Sequence, residues 1–201
     1  MISALQKMKH EARKIVGVVA ADVESAQAAE RAGVDLVLVG ESAQENTFEQ
    51  LLEVCKAVRG AVSRALLAVD LPAHEQNVDA ALRAKESGAE AVKLIGSADL
   101  VRSVVRAGVP VFAELHGGKD EARMLVAHAK RLEDAGASLL DFRHSGPVAG
   151  EAVSRAVKIP VIGGPGGGPW LDGRYANLAQ MAPDALGDYA RAVRAGKPGT
   201  G

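Results

Sequence analysis

The stretch AGVDLVLVG, residues 32–40, decides the fold because it joins the end of a helix to a strand without an intervening loop. The Ala-Gly pair is typical of a helix that ends in a left-handed glycine cap. The run that follows is short, rich in Val and Leu and nearly free of polar residues, which is typical of a parallel strand buried on both faces. The same junction recurs at SGAEAVKLIG (87–96), AGVPVFAELHG (107–117) and AGASLLDFRHS (135–145).

Amphipathic stretches such as VESAQAAERAG (23–33) and NVDAALRAKESG (77–88) separate the apolar runs, so helices and strands alternate along the chain. This alternation favours parallel strands joined by helical crossovers. Seven or eight such units predict a compact (β/α)8 TIM barrel, with a doubly wound open sheet as the alternative. No G-x-G-x-x-G follows the first strand, which counts against that alternative. The predicted strands lie near residues 15–21, 34–40, 65–71, 89–95, 109–115, 137–143 and 159–163, with a weaker eighth near 174–180.

The composition predicts one barrel domain over residues 1–196 and a disordered tail over residues 197–201. The chain has 201 residues, of which 48% are hydrophobic, enough for one sizeable core. Its formal net charge is −1, and no block of Lys and Arg indicates a nucleic-acid or membrane partner. No apolar run approaches the roughly 18 residues of a membrane span, and the opening residues lack a signal-peptide pattern. We therefore expect a cytoplasmic protein.

Polar side chains follow the apolar runs at the points where the predicted strands end. Because the carboxyl ends of the strands in such a barrel meet at one face, these side chains are expected to share a pocket. Residues two apart on a strand point the same way, so Glu114 faces with His116, and Asp141 with Arg143. The predicted pocket collects Glu41, Ser42, Asp70, Lys93, Glu114, His116, Asp141, Arg143 and His144.

Three carboxylates of this pocket, those of Glu41, Asp70 and Glu114, are the predicted ligands of a divalent metal. Carboxylate oxygens are hard ligands that suit Mg2+ or Mn2+, and clustered carboxylates repel one another unless a cation is present. A further ligand from His116 would shift the preference toward a softer transition metal. The alternative role of Asp70 is to stabilise the turn that follows it, and Asp22 is predicted to cap a helix.

The glycine-rich turn IGGPGGGPWLDG, residues 162–173, is a possible anion site. The backbone of Gly164, Gly166 and Gly167 allows close approach of an anion. The turn lacks the Lys and the Ser or Thr of a nucleotide-binding loop, so a flexible loop is the alternative interpretation. The single cysteine, Cys55, lies at helical spacing among apolar residues and is predicted to be a core residue.

Several segments resemble the ketopantoate hydroxymethyltransferase (3-methyl-2-oxobutanoate hydroxymethyltransferase) family. They are LQKMKHEARKIVGVVAADVESAQAAERAGVDLVLVGES (5–42), RALLAVDLP (64–72), GAEAVKLIG (88–96), AGVPV (107–111), and KIPVIGG (158–164) followed by DGR (172–174). The resemblance implies a (β/α)8 barrel of the phosphoenolpyruvate/isocitrate lyase superfamily that assembles into homo-oligomers. It also implies Mg2+ that holds a 2-oxo acid, removal of a proton from C3, and addition of a one-carbon unit from methylenetetrahydrofolate.

The site residues match the family's motifs in part. The family's Ser, Asp and substrate-binding Lys are kept at Ser42, Asp70 and Lys93. Four positions differ from the family: Glu41 replaces a metal-binding Asp, Ile95 a metal-linked Glu, Glu114 a His, and Arg143 the general-base Glu. The family's loops after strand 2 and strand 5 are shortened here to AQENTFEQ (43–50) and GGKDEA (117–122), so the active-site loops are expected to be short.

These residues lead to one main hypothesis, a divalent-metal-dependent enzyme that makes or breaks a C–C bond adjacent to a 2-oxo acid through an enolate. It would be of the hydroxymethyltransferase, aldolase or lyase type. Ser42, Lys93 and Arg143 would bind the substrate, and His116 or His144 would act with Arg143 in catalysis, since a neutral imidazole is available at pH 7. The alternatives are a catalytically lapsed barrel that serves as a binding or scaffolding subunit, and a phosphate-gripping barrel enzyme.

Overall fold

A computed structural model describes residues 2–40, 47–117, 122–164, 171–182 and 184–196 of the chain. Within these ranges strands and helices alternate as the sequence predicts. The strands are β1 (Ile15–Val19), β2 (Leu36–Val39), β3 (Leu66–Asp70), β4 (Ala91–Leu94), β5 (Val111–His116), β6 (Leu139–Arg143), β7 (Val161–Gly163) and β8 (Gly173–Asn177). The helices are α1 (Ile2–His10), α2 (Val23–Ala32), α3 (Phe48–Ala61), α4 (Val78–Glu86), α5 (Ala98–Arg106), α6 (Ala122–Asp134), α7 (Gly146–Ala156) and α8 (Leu186–Arg194).

The eight strands close into a parallel barrel in chain order, with β8 paired to β1. The predicted (β/α)8 TIM barrel is therefore confirmed, and the doubly wound sheet is excluded. The weaker eighth strand exists, although it begins at Gly173 and ends at Asn177, short of the predicted limit at residue 180. The predicted tail at 197–201 lies outside the described residues. No helix in the described ranges has the length and apolar character needed to cross a bilayer.

Two separate layers of apolar side chains hold the barrel together because successive strand residues point to opposite faces. Alternate residues such as Leu66, Phe112 and Leu139 fill the barrel interior. Their neighbours, such as Leu67 and Leu140, pack outward against the helices. Helix α1 lies at the amino ends of the strands, where it adds two apolar side chains to the interior cluster, those of Leu5 and Met8.

Acidic side chains at the amino ends of the strands accept backbone N–H groups from the neighbouring strand. Asp35 accepts from the N–H of Val16 at 2.9 Å, Glu90 from Leu67 at 3.2 Å, and Asp172 from Val161 at 2.8 Å. Each carboxylate precedes an even-numbered strand and binds the start of an odd-numbered one. An unmade hydrogen bond at a buried strand end is costly, so these contacts stabilise the end of the barrel opposite the predicted pocket.

Two of the smaller predictions are confirmed by local geometry. Asp22 caps α2, accepting the backbone N–H of Ser25 at 2.8 Å, while the Ser25 hydroxyl bonds back to the cap. Cys55 is fully buried in the layer between strands and helices, and burial raises the pKa of its thiol to about 11. Its thiol is therefore a small core group and not a reactive nucleophile.

Glu30 of α2 anchors the connection between α3 and β3. Its carboxylate accepts the backbone N–H groups of Ser63, Arg64 and Ala65 at 3.0, 2.8 and 3.2 Å. Burial acts to raise the pKa of Glu30, but the hydrogen bonds outweigh it and lower the pKa from 4.5 to about 2. The charged carboxylate is therefore favoured in the folded state.

We expect Glu30→Gln to lower the free energy of unfolding at pH 7 by about 2 kcal/mol, since hydrogen bonds to a charged group are lost. Because the folded state lowers the pKa, the contribution is present above pH 4.5 and disappears as the pH falls toward 2. Urea unfolding of both proteins between pH 7 and pH 2 measures the difference. Exposed Glu86→Gln is the control. A difference between Glu30→Gln and the natural chain that does not shrink at low pH would contradict this account.

Candidate active site at the carboxyl ends of the strands

Lys93 lies at the centre of the polar cluster at the carboxyl ends of β3 to β6. Its Nζ is 2.8 Å from Asp70 Oδ2, 2.8 Å from Glu114 Oε2 and 3.1 Å from Asp141 Oδ2. The strand register produces this convergence, because Asp70 lies beside Lys93 and Glu114 beside Asp141 on adjacent strands. The side chain of Lys93 is only 2% exposed, so one ammonium group is buried among three carboxylates.

The charges of this cluster stabilise one another. Burial alone would lower the pKa of Lys93, but the carboxylates of Asp141, Asp70 and Glu114 outweigh it and raise the pKa above its usual range. Burial likewise acts to raise the pKa of Glu114, and contact with Lys93 more than reverses it, so that pKa is lowered. Both groups therefore carry their charge at neutral pH.

Arg143 is the second fixed cation of the cluster. Its Nε lies 3.2 Å from both Glu114 Oε2 and Asp141 Oδ2. Its guanidinium carbon lies 5.4 Å from the ring centroid of Tyr175 on β8, within the range of a cation–π contact. Gly17 makes room for this ring, since a Cβ at Gly17 would lie 3.1 Å from Tyr175 Cβ. Contacts with two carboxylates and with the Tyr175 ring thus fix the orientation of the guanidinium.

Two imidazoles stand at the open side of the cluster. His116 is half exposed, and its Nε2 lies 2.5 Å from Glu114 Oε1, on the side of the carboxylate away from Lys93. The ring centroid of His144 is 6.1 Å from that of His116. His144 has φ of 51°, a left-handed conformation that is strained for any residue with a Cβ. Gly117 packs against this turn, where a Cβ would meet the His144 carbonyl oxygen at 2.5 Å.

The structure brings together seven residues of the predicted pocket: Asp70, Lys93, Glu114, His116, Asp141, Arg143 and His144. Glu41, Ser42, Gly166 and Gly167 lie outside the described residues. Gly164 follows β7, and open space surrounds the position of its missing Cβ, so its anion site stays a prediction. Asp141 was predicted to face the pocket but was given no role, and Tyr175 was not predicted as a site residue. The strand that carries Tyr175 has no buried apolar run whose alternation could have identified it.

The cluster has capacity for a further cation. Three carboxylates, of which two are buried, face two fixed cations, Lys93 and Arg143, which leaves one negative charge in surplus. Asp141 Oδ1 is buried and has no hydrogen-bond partner among the described residues. In the same ranges no three His, Cys, Asp or Glu side chains are arranged to hold a metal, and Lys93 lies between the carboxylates. The surplus charge and the hard oxygen donors suit a divalent cation such as Mg2+ chemically, but the described side chains alone do not form its site.

Comparison with known proteins gives a consistent result along the chain. Residues 1–182 match the family model described as ketopantoate hydroxymethyltransferase. The 3-methyl-2-oxobutanoate hydroxymethyltransferase of Salinibacter ruber is 32% identical, and the match covers 94% of this chain and 93% of that protein. The alignment runs over 247 positions, more than the 201 residues of this chain, so the relative has segments without a counterpart here.

Two solved structures share the fold. A phosphonopyruvate hydrolase in complex with oxalate and Mg2+ has a TM-score of 0.71 at 16% identity, covering 98% of this chain and 88% of that one. A 2,3-dimethylmalate lyase, described as a member of the PEP mutase/isocitrate lyase superfamily, has a TM-score of 0.71 at 15% identity, covering 98% and 89%. At these identities the two likenesses establish a shared barrel.

Proposed function

The chain belongs to the ketopantoate hydroxymethyltransferase family, and on this premise we propose that it makes or breaks a C–C bond next to a 2-oxo acid. The family assignment confirms the predicted class, an enzyme of the transferase or C–C lyase type. The name of its relative makes 3-methyl-2-oxobutanoate the first substrate to test. The observation that carries the proposal is the pairing of Lys93 and Arg143 with three carboxylates at the barrel mouth.

The polar end of the substrate binds over the two cations. Arg143 is 21% exposed in its side chain, and a guanidinium is the kind of group that binds a carboxylate with two hydrogen bonds. Lys93 lies beneath and supplies positive charge to the pocket floor. Ser42, which lies outside the described residues, is proposed to hydrogen-bond the same substrate. Together these residues orient C3 of the substrate toward the open side of the cluster.

Asp70 is the proposed principal ligand of a divalent cation, with Glu41 and Glu114 as its partners. Mg2+ or Mn2+ held there would supply Lewis-acid polarisation of the oxo group. Glu114 already contacts Lys93, Arg143 and His116, so a cation would share the oxygens of Glu114 with these groups. Asp70 is the most exposed of the three described carboxylates, which supports its role at the interface with ligand.

The imidazoles of His116 and His144 at the barrel mouth are the groups proposed to transfer the proton at C3. Arg143 stands where the family has its general-base carboxylate, and a guanidinium does not accept protons at neutral pH. His116 and His144 are the described imidazoles at the open side of the cluster, and imidazole is the side chain most often used as a general acid or base. Use of methylenetetrahydrofolate, a homo-oligomeric assembly and a cytoplasmic location stay predictions.

The test is exchange of the C3 proton of 3-methyl-2-oxobutanoate in D2O, followed by NMR with Mg2+, Mn2+ or EDTA. We expect cation-dependent exchange that falls by about a hundredfold in Asp70→Asn, because the cation and its charge stabilisation are lost. Calorimetry should show weaker Mg2+ binding by the same variant.

The control is Asp99→Asn, whose exposed carboxylate lies on α5, and it should leave exchange unchanged. Absence of exchange with any cation and any 2-oxo acid, together with absence of cation binding, would contradict the proposal. That outcome would instead favour the binding or scaffolding subunit.

A further inference from the structure

Ile95 is a large apolar side chain that is 49% exposed at the barrel mouth. Among the described residues it is one of three exposed large hydrophobics, with Met124 and Val148. The other two lie in the first turns of α6 and α7, on helices that surround the barrel. Ile95 alone of the three directly follows a strand, immediately after β4. Its exposure is therefore a feature of the pocket rim.

The alternation of β4 directs Ile95 toward the barrel axis. Ala91 belongs to the interior cluster and Lys93 to the buried charges, whereas Val92 and Leu94 are fully buried in the outer layer. Ile95 is two residues beyond Lys93 and continues the inward series on the side of the mouth.

The backbone at Ile95 is held in place by a glutamine from the neighbouring loop. The Ile95 N–H donates to Gln76 Oε1 at 3.0 Å, and Gln76 Nε2 donates to the Leu71 carbonyl at 3.1 Å. The end of β4 is thereby joined to the loop after β3. A side chain fixed through its backbone in this way can act as a constant wall of the pocket.

The other side chains at the ends of β3, β5 and β6 are polar: Asp70, His116 and Arg143. A 2-oxo acid has one polar end and one alkyl end, so an apolar side chain beside these polar ones can distinguish the two. We infer that Ile95 is a specificity-determining residue that contacts the alkyl group of the substrate and selects longer chains. This inference rests on the proposed function, because it assumes that the mouth binds a 2-oxo acid.

The test compares C3 exchange of 2-oxobutanoate, 2-oxopentanoate and 2-oxohexanoate under competing conditions. For the natural chain we expect the apparent second-order rate constant to rise up to about fourfold per added methylene, the effect of burying one CH2. Ile95→Ser removes the apolar wall, so the increase in the rate constant per added methylene should fall to less than about twofold. Ile95→Leu should keep the preference.

Val148→Ser is the control, since it removes another exposed apolar side chain, one that lies on a helix, and should leave the chain-length ratios unchanged. Ile95→Ser with active exchange and unaltered ratios would overturn the inference while leaving the proposed function intact. Absence of exchange with every acid in the natural chain would overturn both.

Discussion

Lys93→Met is expected to lower the free energy of unfolding by about 3–5 kcal/mol, the range found when one partner of a buried ion pair is removed. The three carboxylates of Asp70, Glu114 and Asp141 would lose the ammonium that lies within about 3 Å of each of them. The cation that remains, Arg143, contacts Glu114 and Asp141 through Nε. Methionine fills a similar volume, so the loss would be electrostatic and would not come from a cavity.

Urea unfolding at pH 7 measures this effect, and Lys56→Met is the control because Lys56 is more than half exposed. Adding Glu114→Gln to Lys93→Met should recover part of the stability by removing one repelling charge. The folded state raises the pKa of Lys93, so its stabilisation is complete below about pH 10.4 and declines as the pH rises beyond that value. A loss below about 1 kcal/mol would mean that the carboxylates do not depend on this ammonium.

Gly173→Ala is the second change with a large expected effect, a loss of about 3 kcal/mol or more. A Cβ at Gly173 would lie 2.3 Å from the Ile15 carbonyl oxygen and 2.6 Å from Ile15 Cβ. These atoms belong to β1, which pairs with β8 at this position, so relief requires the barrel strands to move apart. Backbone atoms cannot rotate away as a flexible side chain can.

The matched control is Gly60→Ala, because Gly60 lies inside α3 and its missing Cβ has no neighbour within 4 Å. Alanine is the better helix former, so this variant should gain up to about 1 kcal/mol. Both variants are compared by urea unfolding followed by circular dichroism. The same chemical change is therefore expected to lower the free energy of unfolding at Gly173 and to raise it at Gly60. A Gly173→Ala variant as stable as the natural chain would show that β1 and β8 are not held at the distance described.

The barrel could be predicted from sequence because one local rule repeats along the chain. A glycine ends each of several helices, and Gly33 has the expected left-handed φ of 69°. The buried run that follows can only be a central strand. The weak prediction for β8 has a physical cause, since this strand, GRYAN, has partly exposed polar residues and no apolar run. Its position is determined by pairing with β1 and β7, which is a tertiary effect.

The sequence predicts which residues belong to the site more fully than it predicts how their side chains are arranged. Strand ends and two-residue spacing identify Asp70, Glu114 and Arg143 as neighbours, because these follow from topology. The reach of Lys93 into the middle of the carboxylates depends on the direction of one long flexible side chain, which spacing does not encode. The two-residue spacing from Arg143 placed Asp141 in the pocket, but it received no role because spacing does not show that its carboxylate lies 3.1 Å from Lys93.

Helix α1 closes the amino-terminal end of the barrel with apolar side chains. Leu5 and Met8 close the amino end, and the layer that contains Phe112 and Leu139 seals the interior beneath the charged cluster. Lys93, Glu114 and Asp141 are already buried, whereas the side chains of Asp70 and Arg143 keep 17% and 21% of their exposure. A ligand that covers the mouth would exclude water mainly from these two groups and would strengthen their charge interactions.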